Sequence, residues 1–238
     1  MAPDLRSLVG FNQLNRDRWV AEAARSLPEG TRVLDVGAGQ ARYRALFSHC
    51  EYLTQDFCQY EGTRDGLLKE EWNYRAIDIV SDIIAIPVES ERFDVILCTE
   101  VLEHVPEPIA ALREMSRILK VGGRLFLTAP LGCGLHQEPH HYYGGFTPHF
   151  YRKFLPEFGM EVESVEPNGG LFRMLVQENN RAGHLLTQLY RYPRWHPMSW
   201  VIRCWMHKFC PIVLSRADDE HLIEEFTVGY HVRAKKVR

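Results

Sequence analysis

The sequence predicts an α/β fold, a doubly wound and mostly parallel sheet. Three observations predict it. In TRVLDVGAGQ, from Thr31 to Gln40, the apolar run of Val33, Leu34 and Val36 ends at Gly37-Ala38-Gly39. A helix-like face of Tyr43, Leu46 and Phe47 follows at once. Further apolar runs come at 51–56, 77–80 and 93–99, separated by helical or polar stretches. Strand, glycine turn and helix form the first unit of a nucleotide-binding sheet, whose ligands sit beyond the carboxyl ends of the strands.

The turn also selects among nucleotides. A dinucleotide fingerprint needs a third glycine, and Arg42 stands in its place. Asp35, inside the strand end, repels phosphate and welcomes an ammonium or hydroxyl group. S-adenosylmethionine has a cationic amino acid end, a sulfonium, two ribose hydroxyls and no phosphate, so it suits Asp35, Gly37 and Gly39 better than NAD does. An ordinary strand turn has the same two glycines, so this pair alone does not decide.

Composition sets the outer bounds. The 238 residues are 45% hydrophobic and carry a net charge of -3. That is enough chain for one large domain or a domain with an elaboration. The near-balanced charge gives no case for nucleic acid as a partner. The six cysteines show no CxxC pair and no short disulfide framework, which favours a reducing cytoplasm. The opening MAPDLRSLVG lacks the basic segment and apolar core of a signal peptide. No uninterrupted apolar stretch reaches the roughly 20 residues of a membrane-spanning helix.

In chain order, residues 1–15 read as a loose arm, and Arg16 to Leu27 as a helix closed by Pro28-Glu29-Gly30. Glu51 to Asp56 is a second strand, whose terminal Asp56 stands beside the ribose of a bound nucleoside. One carboxylate can accept from two vicinal hydroxyls. Residues 57–76 form a long polar loop. Ile77 to Val80 is a short third strand, after which Asp82 can accept from an adenine amino group while Ile83 packs on the ring; Asp82 as a turn residue fits equally well. Phe93 to Thr99 is a central fourth strand. Pro106 and Pro108 open a helix to about Leu119, Val121-Gly122-Gly123 ends it, and Arg124 to Ala129 is the fifth strand. Thr147-Pro148 starts a helix to about Phe158. Met160 to Glu166 is strand six, 171–190 is helical, and Tyr230 to Lys235 closes the sheet.

Taken together, VLDVGAGQ, the acid of TQD, SDI, FDVILCTEVLEHV, REMSRILK and VGGRLFLTAP resemble the class I S-adenosylmethionine-dependent methyltransferases in order and spacing, over roughly residues 31–170. The resemblance implies a Rossmann-like sheet of about seven strands, one antiparallel, with helices on both faces. It implies that Asp35, Gly37, Ala38 and Gly39 hold the methionine end, and that Asp56 with Phe57 holds the ribose. Asp82 and Ile83 would flank adenine, and Thr99 and Glu100 would line the pocket near the sulfonium. The stretch LHQEPHHYYGGFTPHFYRKFLPEFGMEV, with QDFCQYEG and TVGYHVRAKK, is similar to small-molecule methyltransferases of sugar or surface-glycan pathways.

A methyl group on a sulfonium is already activated, so alignment does most of the work. A hydroxyl acceptor still needs a base near neutral pH. His104, just past strand four, is one candidate. The loop from Pro130 to Thr147 supplies His136 and His140 as others, with His141, Tyr142 and Tyr143 facing the acceptor. His136, Glu138 and His140 alternate, yet no fixed helical ligand motif is present, so no metal is expected. Met198, Val201, Ile202, Trp205, Met206 and Phe209 fall on neighbouring helical faces. Packing, self-association into a homo-oligomer, or contact with a membrane surface would each use them, and packing needs the least. The chain therefore reads as a single domain: an arm at 1–30, a cofactor-binding core at 31–170, a helical insertion at 171–225 and a closing strand at 226–238. The expected activity is methyl transfer to a small acceptor, a sugar hydroxyl first and a phenol second. A non-catalytic S-adenosylmethionine-binding module remains open.

Overall fold

The computed structural model describes residues 5–62, 73, 74 and 76–238. Seven strands form one sheet: β1 (Arg32–Val36), β2 (Glu51–Asp56), β3 (Ile79–Val80), β4 (Phe93–Thr99), β5 (Leu119–Pro130), β6 (Met160–Pro167) and β7 (Gly229–Lys236). Their order is β3-β2-β1-β4-β5-β7-β6. β1 to β5 pair in parallel, and β7 runs antiparallel to β5. The expected sheet, with one reversed strand, is the one observed.

Alternation along the strands explains why they read as continuous apolar runs. Leu34, Val36, Ile96, Cys98, Leu125 and Leu127 bury on one face, against Leu112 and Met115 of α3 (Pro108–Ile118) and Leu155 of α4 (Pro148–Glu157). Val33, Tyr52, Val95, Leu97 and Phe126 bury on the other face, against Trp19, Val20, Ala23 and Ala24 of α2 (Phe11–Arg25). A strand covered on both sides has no solvent face to fill with polar residues. Each of these large side chains contributes roughly 1.5–3 kcal/mol by leaving water.

The chain divides into two compact units: residues 18–166 with 229–238, and residues 5–17 with 167–228. The second contains α1 (Leu5–Val9), α5 (Leu171–Tyr190), α6 (Pro197–Val201), a π-helix (Ile202–Phe209) and α7 (Cys210–Glu220). The buried Asp218 carboxylate accepts from the amides of Gly170, Phe172 and Arg173, at 3.0, 3.1 and 3.1 Å. It thereby caps α5, whose N-terminal amides have no partner within the helix.

Several expectations need correction. Residues 5–9 and 11–15 are helical rather than a loose arm, and α2 begins at Phe11, not Arg16. The cause is tertiary: Phe11 is buried beneath the Arg173 guanidinium, and Asn168 donates to the Asn12 side chain at 2.8 Å. The helix expected after the glycine turn is a single 3-10 turn, Arg44–Phe47, because β2 follows almost at once. Val121-Gly122-Gly123 does not end a helix; it lies within β5, which starts at Leu119 and pairs with β4 across a register shift between Phe93 and Val95. Residues 202–209 have the wider π-helical turn, so the faces counted at α-helical spacing do not apply. Most of the polar loop at 57–76 lies outside the described residues.

Candidate functional site

Strand order reverses between β1 and β4, and an open α/β sheet offers its crevice beyond the carboxyl ends of the strands at such a reversal. Among the described residues, four non-glycine residues adopt left-handed backbone at this edge: Ala41 after β1, Cys58 after β2, Glu100 after β4 and Gln137 after β5, with φ of 54°, 56°, 55° and 50°. Such geometry costs of order 1–3 kcal/mol per residue and collects where function shapes the backbone.

The floor is the turn after β1. Gly37 has φ of 68°, and a Cβ there would stand 2.5 Å from Val101 Cγ2, so only glycine lets this turn lie against the segment after β4. Gln55 ties the turn down: its Oε1 accepts from the Gly37 amide at 3.3 Å and its Nε2 donates to the Ser81 carbonyl at 2.7 Å. The Ala38 amide donates to the Gln55 carbonyl at 2.9 Å. Asp35 is 2% exposed and accepts a short hydrogen bond from the Tyr52 hydroxyl. Burial pushes its carboxyl up to about 7, against the pull of Tyr52 and with added repulsion from Asp56.

Asp56 ends β2 on the same face as Asp35, since Asp35 is in register with Thr54 and Asp56 lies two residues on. Its Oδ2 accepts from the Gly39 amide at 2.9 Å and its Oδ1 from the Cys58 amide at 2.9 Å. The glycine turn and the strand-two acid are thus one hydrogen-bonded unit. Burial raises the Asp56 carboxyl, and the amides of Cys58, Gly39 and Phe57 partly offset it. Asp82, exposed, accepts from the Ile84 amide at 3.1 Å, as a turn residue does, while Ile83 is buried in the core beside it. Thr99 is the last residue of β4, and the Glu100 carboxylate accepts from Thr128 Oγ1 at 2.8 Å.

The loop after β5 leaves the sheet at the same edge. Hydrogen bonds from the Phe146 amide to the Pro130 carbonyl and from the Cys133 amide to the Gly144 carbonyl, both 2.7 Å, close its ends. Compact surface loops with joined ends are a common seat of function. The Tyr142 and Tyr143 amides donate to the Glu103 carbonyl at 2.9 and 3.2 Å, which docks the loop on the 3-10 turn Leu102–His104. His104 lies in that turn and donates from Nδ1 to the His140 carbonyl at 2.6 Å. Burial drives its ring down to about 4, so it is neutral at physiological pH with Nε2 unprotonated. His136 and His141 stand with it, their centroids 4.8 and 5.7 Å from the His104 ring. His140 does not join them; its ring packs edge-on against Phe57, at 5.0 Å. Tyr142 and Tyr143 are exposed, and the Tyr143 hydroxyl donates to the Pro106 carbonyl at 2.9 Å.

Residue-by-residue reading missed four participants. Tyr52 and Gln55 were hidden as ordinary strand residues. Glu103 acts through its carbonyl, which no side-chain pattern reveals. Cys133 was one of six thiols, and its spacing to His136 and His141 was the available signal.

Residues 11–162 match the model of a family described as a methyltransferase domain. A ubiquinone biosynthesis O-methyltransferase of Xanthomonas axonopodis pv. citri (strain 306) is 30% identical over 180 residues, which cover 65% of this chain and 73% of that relative. A sarcosine/dimethylglycine N-methyltransferase of Halorhodospira halochloris is 30% identical over 160 residues, 62% of this chain and 57% of the relative. The chain thus spans little more than half the length of the second relative. Among solved structures, a SAM-dependent methyltransferase from Archaeoglobus fulgidus has the same fold, with a TM-score of 0.56 at 15% identity over 94% of each chain.

Proposed function

The chain belongs to the methyltransferase-domain family, and on that premise we propose that it transfers a methyl group from S-adenosylmethionine to a hydroxyl of a small polar acceptor, a sugar or glycan-pathway intermediate. The observation that carries the reading is the strand-end unit of Gly37, Gly39, Asp35 and Asp56. Two buried carboxylates on one face, with a turn that admits no Cβ at Gly37, fit a cation and a diol and would repel a pyrophosphate. When bound, the cofactor supplies a methyl group on a sulfonium, open to in-line displacement.

The chain's own residues have separate tasks. Asp35 would hold the ammonium of the methionine end, with the backbone of Gly37, Ala38 and Gly39. Asp56 would accept from the ribose hydroxyls, with Phe57 beside it. Asp82 and Ile83 would border the adenine, and Thr99 and Glu100 would line the sulfonium region. The left-handed Glu100 turns the chain sharply after β4 and sends it into the turn that carries His104. The imidazoles of His104, His136 and His141 form the acceptor side, where an acceptor hydroxyl would lose its proton. His140 supports that side through its carbonyl and its contact with Phe57. Orientation of two bound reactants can supply up to about 7–11 kcal/mol, so positioning outweighs any single base.

A phenolic acceptor is the second reading, favoured by the O-methyltransferase name of the Xanthomonas relative. All six cysteines are outside disulfides, which supports a reducing, cytoplasmic setting. Among the described residues, no helix is long and apolar enough to cross a membrane. The test is incubation with methyl-labelled cofactor and a panel of nucleotide sugars, glycans and phenols. Label in a sugar methyl ether supports the first reading, and label in a phenol ether the second. Calorimetric binding of S-adenosylhomocysteine with no label in any acceptor would make the chain a binding module.

A further inference from the structure

The loop after β5 brings a thiol together with two of the imidazoles of the proposed acceptor side. Cys133 Sγ lies 3.4 Å from His141 Nε2. His136 and His141 have ring centroids 4.5 Å apart. One ligand atom from each of Cys133, His136 and His141 lies within 4.8 Å of the other two. From these placements we propose that Cys133, His136 and His141 bind a divalent transition metal ion of the zinc class, leaving a fourth position for an oxygen ligand.

Three features argue for it. The first is distance. A tetrahedral zinc ion with bonds of about 2.3 Å to sulfur and about 2.0–2.1 Å to nitrogen holds those donors about 3.6 Å apart. The sulfur and Nε2, at 3.4 Å, stand close to that value. A thiol–imidazole hydrogen bond would also fit one such pair, but it gives no reason for a second imidazole on the same centre. The second is ring anchorage. His136 Nδ1 stands 2.9 Å from the Gly134 carbonyl, which can only accept, so the proton is on Nδ1 and the lone pair on Nε2. A backbone carbonyl fixing the far nitrogen is the usual outer support of a metal-bound histidine. The third is access. Cys133 and His141 are half-buried and His136 is exposed, so an ion can enter from solvent.

The donor set also names the metal class. A thiolate with two imidazoles is soft, which selects zinc, cobalt or copper over magnesium or calcium. Binding displaces the Cys133 thiol proton to solvent. No metal is expected from the sequence; the alternating His136, Glu138 and His140 do not form this site, since Glu138 and His140 lie outside it and Cys133 and His141 stand with His136 instead. Glu103, His104 and His136 form a second, harder group that shares His136. A metal held there instead would give no sulfur signature.

The inference deepens the acceptor side of the proposed reaction, but its test needs neither cofactor nor acceptor. Protein freed of metal with a chelator is titrated with cobalt(II) alone and followed by near-ultraviolet absorption. The expected result is a thiolate-to-cobalt charge-transfer band that saturates at one ion per chain and is discharged by zinc. Cys133→Ser should abolish the band, and His141→Gln should weaken cobalt binding at least tenfold. Cys204→Ser and Glu138→Gln should leave both unchanged. Calorimetry with S-adenosylhomocysteine on each variant reports folding separately, so loss of the metal and loss of the methyl-transfer reading are distinguished. Absence of the band at stoichiometric cobalt, its survival in Cys133→Ser, or cobalt binding that depends on Glu103 and not on Cys133 would overturn the assignment.

Discussion

Asp35→Asn should make the ligand-free protein more stable while it disables the site. The carboxyl titrates at about 7 in the fold against 3.8 as a free group, chiefly because burial strips its water. The native state therefore holds that proton more tightly than the unfolded chain does. Stability from this group is full below about pH 4, falls as pH rises through 4–7 and is lost above it. The gap between the two values corresponds to a ceiling of about 4 kcal/mol once Asp35 is ionised. The substituted amide would keep an acceptor for the Tyr52 hydroxyl and carry no charge, so it escapes that cost. We expect the variant to exceed the parent by about 1–3 kcal/mol at pH 8, or about 2–4 °C in Tm per kcal/mol, with the gap closing toward pH 4. Thermal unfolding of both proteins by circular dichroism across pH 4–8 measures it. The variant should also bind S-adenosylhomocysteine at least about tenfold more weakly. A variant less stable than the parent at pH 8, or a gap that ignores pH, would refute the reasoning. The parent should also release part of a proton when it binds cofactor at pH 6, read by calorimetry in buffers of different ionisation enthalpy.

Other variants separate floor, support and acceptor side. Gly37→Ala, at φ of 68° and against Val101, should destabilise by about 1–3 kcal/mol and remove measurable cofactor binding in a calorimetric titration. Asp56→Ala strands the Gly39 and Cys58 amides as well as the ribose, and should weaken S-adenosylhomocysteine about 10- to 100-fold. Glu114→Ala should cost about 2–3 kcal/mol in urea unfolding and leave cofactor affinity alone. The Glu114 carboxylate takes the Ile86 amide at 2.8 Å and clamps Arg117 through both oxygens, on the core side of α3. His136→Ala should lower turnover on an accepted substrate far more than cofactor affinity; His140→Ala keeps the carbonyl that His104 bonds and loses only the ring contact with Phe57, so it should lower turnover less. Unchanged turnover in both would remove the loop from the chemistry.

The fold was legible because its signal is local. Buried parallel strands such as 93–99 announce themselves as unbroken apolar runs, and Pro108 and Pro148 mark helix starts that need no tertiary knowledge. What escaped was decided at a distance. Phe11 joins a helix because Arg173 and Asn168 wait for its neighbourhood, far along the chain. Gly122 and Gly123 punctuate a strand, not a helix end, because Leu119 already pairs with Phe93. In the candidate site, spacing alone foretold that Asp35, Gly37, Gly39 and Asp56 come together at one strand edge. Gln55 and Glu103 could not be read that way, since one works through an amide aimed back across strands and the other through its main-chain oxygen.

The fastening of the loop after β5 has a consequence for how such a protein diversifies. Tyr142, Tyr143, Cys133 and Phe146 are held by peptide groups bonding to peptide groups, so these ties survive most exchanges of the side chains between them. Side chains along the loop can be rewritten one by one while the hinge points stay put. With the loop on the acceptor side as proposed, a lineage can change what it methylates and leave the turn of Gly37 and Gly39 and its tie to Asp56 untouched.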